Sequence, residues 1–187
     1  MNVQPNLRMD KEMFLAWLQE REERYELVGG RVMMMTGGSR GHGIITRRLA
    51  AALEKRLDPN RWTVLTSDFG VDLGPETVRY PDVVVDVATG LLKDLTATAP
   101  ILVAEVLSPS SVSNDLGDKA SEYLQLPSLY AYLVLSQDEP KAWTWVRGAS
   151  GFSPGPDVIK GNDGIIRIAA LTIDFALSEI YTGVQSN

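Results

Sequence analysis

The sequence predicts one α/β domain, in which helices cover the faces of a mixed β-sheet. Apolar residues recur at helical spacing in some segments, and in others they alternate with polar residues or run on without interruption. These segments follow the order helix, hairpin, long helix, strands, helix, strands, which is typical of such a sheet. The 187 residues are enough for one core and too few for two full domains. We therefore expect a single domain over residues 1–187, with flexible ends at residues 1–9 and 182–187.

The first third of the chain predicts two helices separated by a hairpin. Residues 10–22 have the apolar spacing of a short amphipathic helix. The segment "YELVGGRVMMMT" predicts a β-hairpin that turns at Gly29 and Gly30, because glycines readily adopt the positive φ angles of a two-residue turn. After "GGSRGHG", the apolar spacing predicts a long helix over residues 44–58.

The remainder predicts strands, one further helix and a Gly/Pro-rich tail. Strands are expected at residues 62–73, 78–88, 101–107, 129–135 and 142–146. The helix is expected at residues 113–126, and the tail ends in a short apolar run and a last helix or turn near residues 173–181.

The composition excludes several kinds of site. The chain has no cysteine and one histidine, His42, which excludes disulfides, thiolate zinc sites and a histidine-rich metal site within one chain. Any bound metal must therefore be held by oxygen ligands. No Gly-Lys-Ser/Thr follows the glycines, so no nucleotide cofactor is expected, and Ser39 and Ser108 lie in no nucleophile elbow.

The charge pattern and the lack of long apolar runs bear on location and partners. No segment resembles a signal peptide or a membrane span, so we expect a cytoplasmic protein with no membrane partner. The net charge of −6 argues against coating nucleic acid by bulk electrostatics. Residues 40–61, however, hold six basic and two acidic side chains, and Arg47 and Arg48 are candidate substrate contacts. A solvated helix face is the alternative.

Two acidic residues interrupt apolar strands. Asp82 follows a proline in "RYPDVVVD", and Glu105 lies within "ILVAEVL". Strand alternation places each on a definite face, so the two carboxylates can converge if the strands are neighbours in facing register. Adjacent carboxylates repel unless a proton or a cation lies between them. Without cysteine or further histidine, the favoured cation is Mg²⁺ or Mn²⁺.

A third group follows in "NDLGDKASEYL". Asp115, Lys119 and Tyr123 are spaced four residues apart, which places them along one side of a helix. The row lies beside the apolar stripe, so Lys119 could point towards Asp82 and Glu105. A surface salt bridge between Asp115 and Lys119 is the alternative.

These motifs together resemble the Uma family of restriction-endonuclease-like proteins, in the PD-(D/E)XK nuclease superfamily. The resemblance rests on "VRYPDVVVD", "LVAEVLSPSS", "DLGDKASEYL" and "LPSLYAYLVL" in this order, with "RYELVGGRVMMM" and "GHG" upstream. It spans about residues 25–135 and implies the restriction-endonuclease-like fold.

The resemblance implies roles for individual residues. Asp82 and Glu105 would be metal ligands, with the backbone carbonyl of Val106 as a further ligand, and Glu26 matches a family glutamate. The superfamily lysine normally lies two residues after the second acid, where this chain has Leu107. The family pattern supplies the charge from the next helix through Lys119.

The implied activity is Mg²⁺- or Mn²⁺-dependent hydrolysis of DNA phosphodiester bonds, in which Lys119 orients the attacking water or neutralises developing charge. A homodimer is expected because cutting a duplex generally needs two active sites, and the aromatics of "VLSQDEPKAWTWV" are a candidate interface. The competing hypothesis is an inactive nuclease-like module that binds nucleic acid or protein. A glycosidase using the carboxylate pair is a distant third.

Structural roles remain as alternatives for single residues. Glu105 could be a buried acid paired with Arg79 or Lys119, and Asp82 a turn residue. Glu26 could be an exposed strand residue opposite Arg31 in the hairpin. His42 could contact a phosphate at the helix start, or serve as a capping or surface residue.

Overall fold

The computed structural model describes residues 3–107 and 114–184. The strands in these ranges are β1 (Val3–Arg8), β2 (Tyr25–Val28), β3 (Arg31–Met34), β4 (Trp62–Thr66), β5 (Gly70–Asp72), β6 (Val78–Arg79), β7 (Val83–Val87), β8 (Thr96–Ala97), β9 (Leu102–Val106), β10 (Ala131–Leu135), β11 (Lys141–Val146), β12 (Asp157–Lys160), β13 (Ile165–Ile168) and β14 (Ile173–Ala176). The α-helices are α1 (Lys11–Leu18), α2 (Arg40–Glu54), α3 (Lys119–Tyr123) and α4 (Leu177–Tyr181). A π-helical turn, Asn114–Asp118, leads directly into α3.

The strands form two six-stranded sheets and a two-stranded ribbon. The N-terminal sheet has the order β1-β3-β2-β6-β5-β8, and the central sheet has the order β12-β11-β10-β9-β7-β4. In the central sheet β9 and β10 are parallel, whereas the other neighbours are antiparallel. The predicted α/β class with a mixed sheet flanked by helices is confirmed, although the strands divide between two sheets.

The core lies on both faces of the central sheet. On one face, Val83 and Val85 pack with residues of α2, α4 and the β13–β14 ribbon. On the other, Val84 and Val103 pack with residues of α3 and the N-terminal sheet. This alternation along β7 follows from the two-residue period of a strand. Asp82, directly before β7, is therefore held in place by a strand whose first residues are buried on both faces.

Two predicted strands are each divided between the sheets. Residues 62–73 form β4 and β5, and residues 78–88 form β6 and β7, with the chain passing from one sheet to the other each time. Pro81 lies in the second break, where a residue without an N–H cannot extend a ladder. Asp82 therefore lies at the junction of the two sheets.

The helix predicted at residues 44–58 begins earlier, at Arg40. Ser39 is its N-cap, and the Ser39 side chain accepts a hydrogen bond from the His42 backbone N–H at 3.1 Å. The preceding hairpin turns at Gly29 and Gly30 as predicted, with φ angles of +54° and +76°.

The two tryptophans of the candidate dimer interface are not fully exposed, and the interface itself stays a prediction. Trp145 is buried and its ring stacks on Tyr132, with a centroid separation of 5.5 Å. Trp143 is half-buried, with the Lys141 ammonium 4.4 Å from its ring centroid. In addition, β12 in the tail, which the sequence did not predict, pairs with β11 and covers its edge.

Two further predictions concern the flexibility of the chain ends and the cytoplasmic location of the protein. Val3–Arg8, within the segment expected to be flexible, pair with β3, and flexibility of either end stays a prediction. Across residues 3–107 and 114–184, no helix combines the length and apolar character needed to cross a bilayer. The cytoplasmic location also stays a prediction.

Candidate functional site

A cleft of about 860 Å³ opens between the start of α2 and the junction of the two sheets. Its lining includes the predicted acids Glu26, Asp82, Glu105 and Asp115, together with Lys119. The cleft therefore collects residues from the hairpin, β9 and the helical segment after it, and the loop before β7.

Strand register brings Asp82 and Glu105 together. β7 and β9 are antiparallel, with Val83 opposite Ala104 and Val84 opposite Val103. One step further along, Asp82 falls opposite Glu105 on the face that carries Val84 and Val103. The backbone N–H of Val106 donates to Asp82 Oδ2 at 2.7 Å, which fixes this carboxylate at the end of β9.

Lys119 reaches the second acid from the helix. Its Nζ lies 2.9 Å from Glu105 Oε1, 3.2 Å from Asp115 Oδ1 and 3.9 Å from Glu26 Oε1. The Tyr123 hydroxyl, one turn further along α3, donates to Glu105 Oε1 at 3.4 Å. Because Lys119 and Asp115 are both buried, the alternative of a surface salt bridge is wrong.

The ionisation of this cluster is set by burial and by its excess of acids. Burial raises the pKa of Glu105 to about 8; the Lys119 ammonium opposes the shift, while Asp82, Asp115 and Glu26 add to it. Burial lowers the pKa of Lys119, but Glu105, Glu26 and Asp115 outweigh burial and raise it. The ammonium therefore stays charged, and the acidic side chains around it outnumber this one cation.

Glu26 belongs to a buried network and does not oppose Arg31. It is 3% exposed and pairs in register with Met33, whereas Arg31 pairs with Val28. The Tyr80 backbone N–H donates to Glu26 Oε1 at 3.1 Å.

Arg79 ties Glu26 to the helix that carries Lys119. Its Nη1 donates to Glu26 Oε2 at 3.1 Å. Its Nε and Nη2 bind both carboxylate oxygens of Glu122 at 2.7 and 2.8 Å. The predicted pairing of Glu105 with either Arg79 or Lys119 thus resolves to Lys119. The buried arginine holds the N-terminal sheet and α3 at the cleft.

The donor set fits a hard divalent cation held largely by non-protein ligands. In the described part of the chain, no three histidine or acidic side chains are arranged to hold an ion together. Mg²⁺ commonly uses one or two carboxylates, with waters and a substrate phosphate completing its coordination. No described residue donates a hydrogen bond to Asp82 Oδ1 or Glu105 Oε2. By the strand pattern, the Val106 carbonyl leaves β9 on the same edge as its N–H, towards Asp82.

The predicted basic residues separate on the two sides of α2. Arg47 is exposed and lines the cleft. Arg48 does not line it, because its guanidinium donates to the Ile180 carbonyl at 3.0 Å and to the Thr182 carbonyl. The predicted substrate contact by Arg48 does not fit this position.

His42 lies deeper than a cap or surface residue. Its Nε2 is 3.0 Å from Asp82 Oδ2, and the hydrogen bond to Asp82 raises the pKa of His42. The sequence missed this contact and also the Arg79–Glu122 pair. The available signals were a lone histidine in the first turn of a helix and an arginine three residues before Asp82.

Comparisons with known proteins agree with this fold. A family model named Uma2 and described as "putative restriction endonuclease" matches residues 11–176. An uncharacterized protein of Synechocystis is 32% identical over 134 residues, covering 71% of this chain and 70% of the relative. A second uncharacterized Synechocystis protein is 30% identical over 128 residues, covering 66% and 72%.

A solved structure is similar over nearly the whole chain. It is the crystal structure of a protein from Anabaena variabilis described as a "putative nuclease belonging to DUF820". The TM-score is 0.76, with 94% of this chain and 99% of that chain covered, at 13% sequence identity. At this identity the likeness shows the fold alone.

Proposed function

The chain belongs to the Uma2 family of restriction-endonuclease-like proteins, and from this premise we propose that it is a metal-dependent nuclease that hydrolyses DNA phosphodiester bonds. The observation that carries the proposal is the convergence of Asp82 and Glu105, from neighbouring strands, on a cleft where Lys119 lies 2.9 Å from Glu105. A paired acid site with a nearby cation suits the hydrolysis of an anionic ester.

Asp82 and Glu105, with the Val106 carbonyl, would hold Mg²⁺ or Mn²⁺. Such an ion supplies polarisation of the phosphate and a bound water of lowered pKa. Lys119 places a permanent positive charge beside the acids, where it can orient a water or stabilise charge that develops on the phosphate. Glu26 and Asp115 hold Lys119 from its other sides.

The plasmid-cleavage assay tests this proposal directly. Purified protein is incubated with supercoiled plasmid and Mg²⁺ or Mn²⁺, beside the variants Asp82→Ala and Lys119→Ala. Each variant should lose about 10²-fold or more in rate, by analogy with the loss of one group that stabilises transition-state charge. Asp86→Asn is the matched control, since Asp86 lies four residues further along the chain but does not line the cleft.

The outcomes separate an enzyme from a binding module. Cleavage that survives both substitutions would belong to a contaminant and would contradict the proposal. If the wild type neither cuts DNA nor binds Mg²⁺ or Mn²⁺ in calorimetry, the inactive nuclease-like module is favoured. Circular dichroism of each variant shows whether a lost activity reflects a lost fold.

We also propose a homodimer, because cutting both strands of a duplex generally needs two active sites. The proposal rests on the reaction and not on the β10–β11 aromatics, since Trp145 is buried. Light scattering that shows a stable monomer at micromolar concentration would contradict it.

A further inference from the structure

The His42 ring and a backbone amide hold the same oxygen of Asp82. His42 Nε2 is 3.0 Å from Asp82 Oδ2, and the Val106 N–H donates to that oxygen at 2.7 Å. A bare ring nitrogen facing a carboxylate oxygen would place two lone pairs together, so Nε2 carries a hydrogen and donates. Asp82 is thereby held through Oδ2, and Oδ1 has no donor among the described residues.

The start of α2 fixes the place from which the ring extends. The Ser39 side chain accepts the His42 N–H as the N-cap, and the Ser39 hydroxyl donates to Gln137 Oε1 at 2.9 Å. The first turn of the helix is therefore anchored to the segment that follows β10. His42 is held at its backbone as well as at its ring.

Two adjacent glycines differ in their relation to the ring. A Cβ added at Gly38 would lie 2.7 Å from His42 Nδ1 and 2.9 Å from Cγ, which is closer than real Cβ atoms approach. A Cβ added at Gly37 would meet nothing within 4 Å, and neither glycine has a positive φ. Only at Gly38 does the absent side chain make room for the imidazole.

From these contacts we propose that His42 is a positioning residue for Asp82, and that Gly38 is required because it leaves space for the ring. His42 holds Oδ2, which would leave Oδ1 to face a metal ion held by Asp82. The metal part of this inference rests on the proposed function. Groups that hydrogen-bond to a metal ligand typically contribute 10–100-fold to metal affinity.

The test compares the full-length protein with Gly38→Ala, Gly37→Ala, His42→Ala and His42→Gln. Calorimetry with Mg²⁺ alone measures the dissociation constant of each protein. Because His42 is the only histidine, nitrogen NMR of the imidazole reports its protonated nitrogen without assignment ambiguity, and this is measured on metal-free protein.

We expect the wild-type spectrum to show a hydrogen on Nε2. Gly38→Ala should shift the imidazole signals and weaken Mg²⁺ binding about tenfold or more, as His42→Ala does, while Gly37→Ala matches the wild type. His42→Gln should recover most of the affinity, because its amide can donate to Asp82. Glutamine has no ring to titrate, so recovery would assign the effect to the hydrogen bond.

Several results would overturn the inference. They are a neutral ring protonated on Nδ1, equal Mg²⁺ affinities for Gly38→Ala and Gly37→Ala, or a His42→Gln variant as impaired as His42→Ala. If Gly38→Ala fails to fold, the pair His42→Ala and His42→Gln decides the question alone. A wild type that binds no Mg²⁺ overturns the inference as well.

Failure of the proposed function gives a different pattern. A protein that binds Mg²⁺ with the expected ranking of variants but cuts no DNA would retain the positioning role and lose the nuclease assignment. If the Gly37→Ala and Gly38→Ala variants cut DNA with equal efficiency at limiting Mg²⁺, the nuclease assignment would be retained and the positioning role lost.

Discussion

One side of helix α2 faces the cleft, whereas another faces α4, and both carry polar side chains. On the cleft side, His42 binds Asp82 and Arg47 is exposed at the lining. On the α4 side, Arg48 donates to two main-chain carbonyls, and Arg56, just after the end of the helix, binds Glu179 at 2.7 Å. The comparison shows that a basic run in sequence does not make a basic face, since only some of its cations remain available to a ligand.

The largest expected effect is on the cleft side, from Lys119→Met. Removing this ammonium leaves Glu105, Asp115 and Glu26 without their shared cation in a buried place, which should reduce the free energy of unfolding by about 3–5 kcal/mol. Urea denaturation followed by circular dichroism measures the change. Added Mg²⁺ should restore part of the loss, because it supplies positive charge to the same acids.

Lys141→Met is the matched control for that variant. Lys141 pairs with Glu139, whose side chain is 60% exposed, so its loss should cost less than about 1 kcal/mol. Equal destabilisation by the two substitutions would contradict the view that the cleft cluster depends on Lys119.

The second prediction concerns the pH dependence of metal binding. Burial raises the pKa of Glu105 to about 8, so below this pH the carboxyl is protonated and must lose its proton to bind a cation. Mg²⁺ affinity should therefore rise about tenfold per pH unit between pH 6 and 8 and level off above pH 8. Calorimetry in buffers of different ionisation enthalpy measures how many protons are released when Mg²⁺ binds.

The hydrogen bond to Asp82 raises the pKa of His42, so protonation of this ring is a second source of pH dependence. His42→Gln removes that titration and should keep the rise in affinity if Glu105 is responsible. An affinity that is constant from pH 6 to 9 would show that Glu105 is already ionised in the free protein.

The smallest effects are expected on the α4 side. Arg48→Met removes the donor to the Ile180 and Thr182 carbonyls and should reduce stability by about 1–2 kcal/mol, with Mg²⁺ affinity unchanged. Thermal unfolding and calorimetry measure the two quantities. Glu179→Gln, at a more exposed pair, should cost about 0.5 kcal/mol or less. A loss of Mg²⁺ affinity in either variant would contradict this prediction and show that residues on the α4 side also affect metal binding.

Local patterns predicted the elements near the site better than their boundaries. Periodicity indicated the hairpin, the long helix and the buried strands, because burial of one face imposes a spacing on the sequence. It did not indicate that residues 78–88 divide between two sheets, since valines occur in both β6 and β7 and the break depends on tertiary packing around Pro81. The start of α2 was missed because Gly41 and Gly43 suggested a loop, whereas the Ser39 cap begins the helix before them.

The site was predictable where it depended on alternation and unpredictable where it depended on sheet order. Alternation placed Asp82 and Glu105 on definite faces, and helical spacing placed Asp115 beside Lys119. The Arg79 network joins residues from β2, β6 and α3, which come together only through the packing of the N-terminal sheet. The contact between His42 and Asp82 likewise spans 40 residues of sequence and has no local signature.

The pairing of β7 with β9 has a consequence for how the chain reaches its native state. Asp82 lies opposite Glu105 in a single register, and a slip of one residue would turn one of these strands over. A carboxylate would then enter the apolar layer beneath α2 and α4, where Leu49 and Leu53 are fully buried. The acids therefore disfavour misregistered sheets during folding, and Mg²⁺ binding during refolding would mark the moment at which the correct strand alignment is reached.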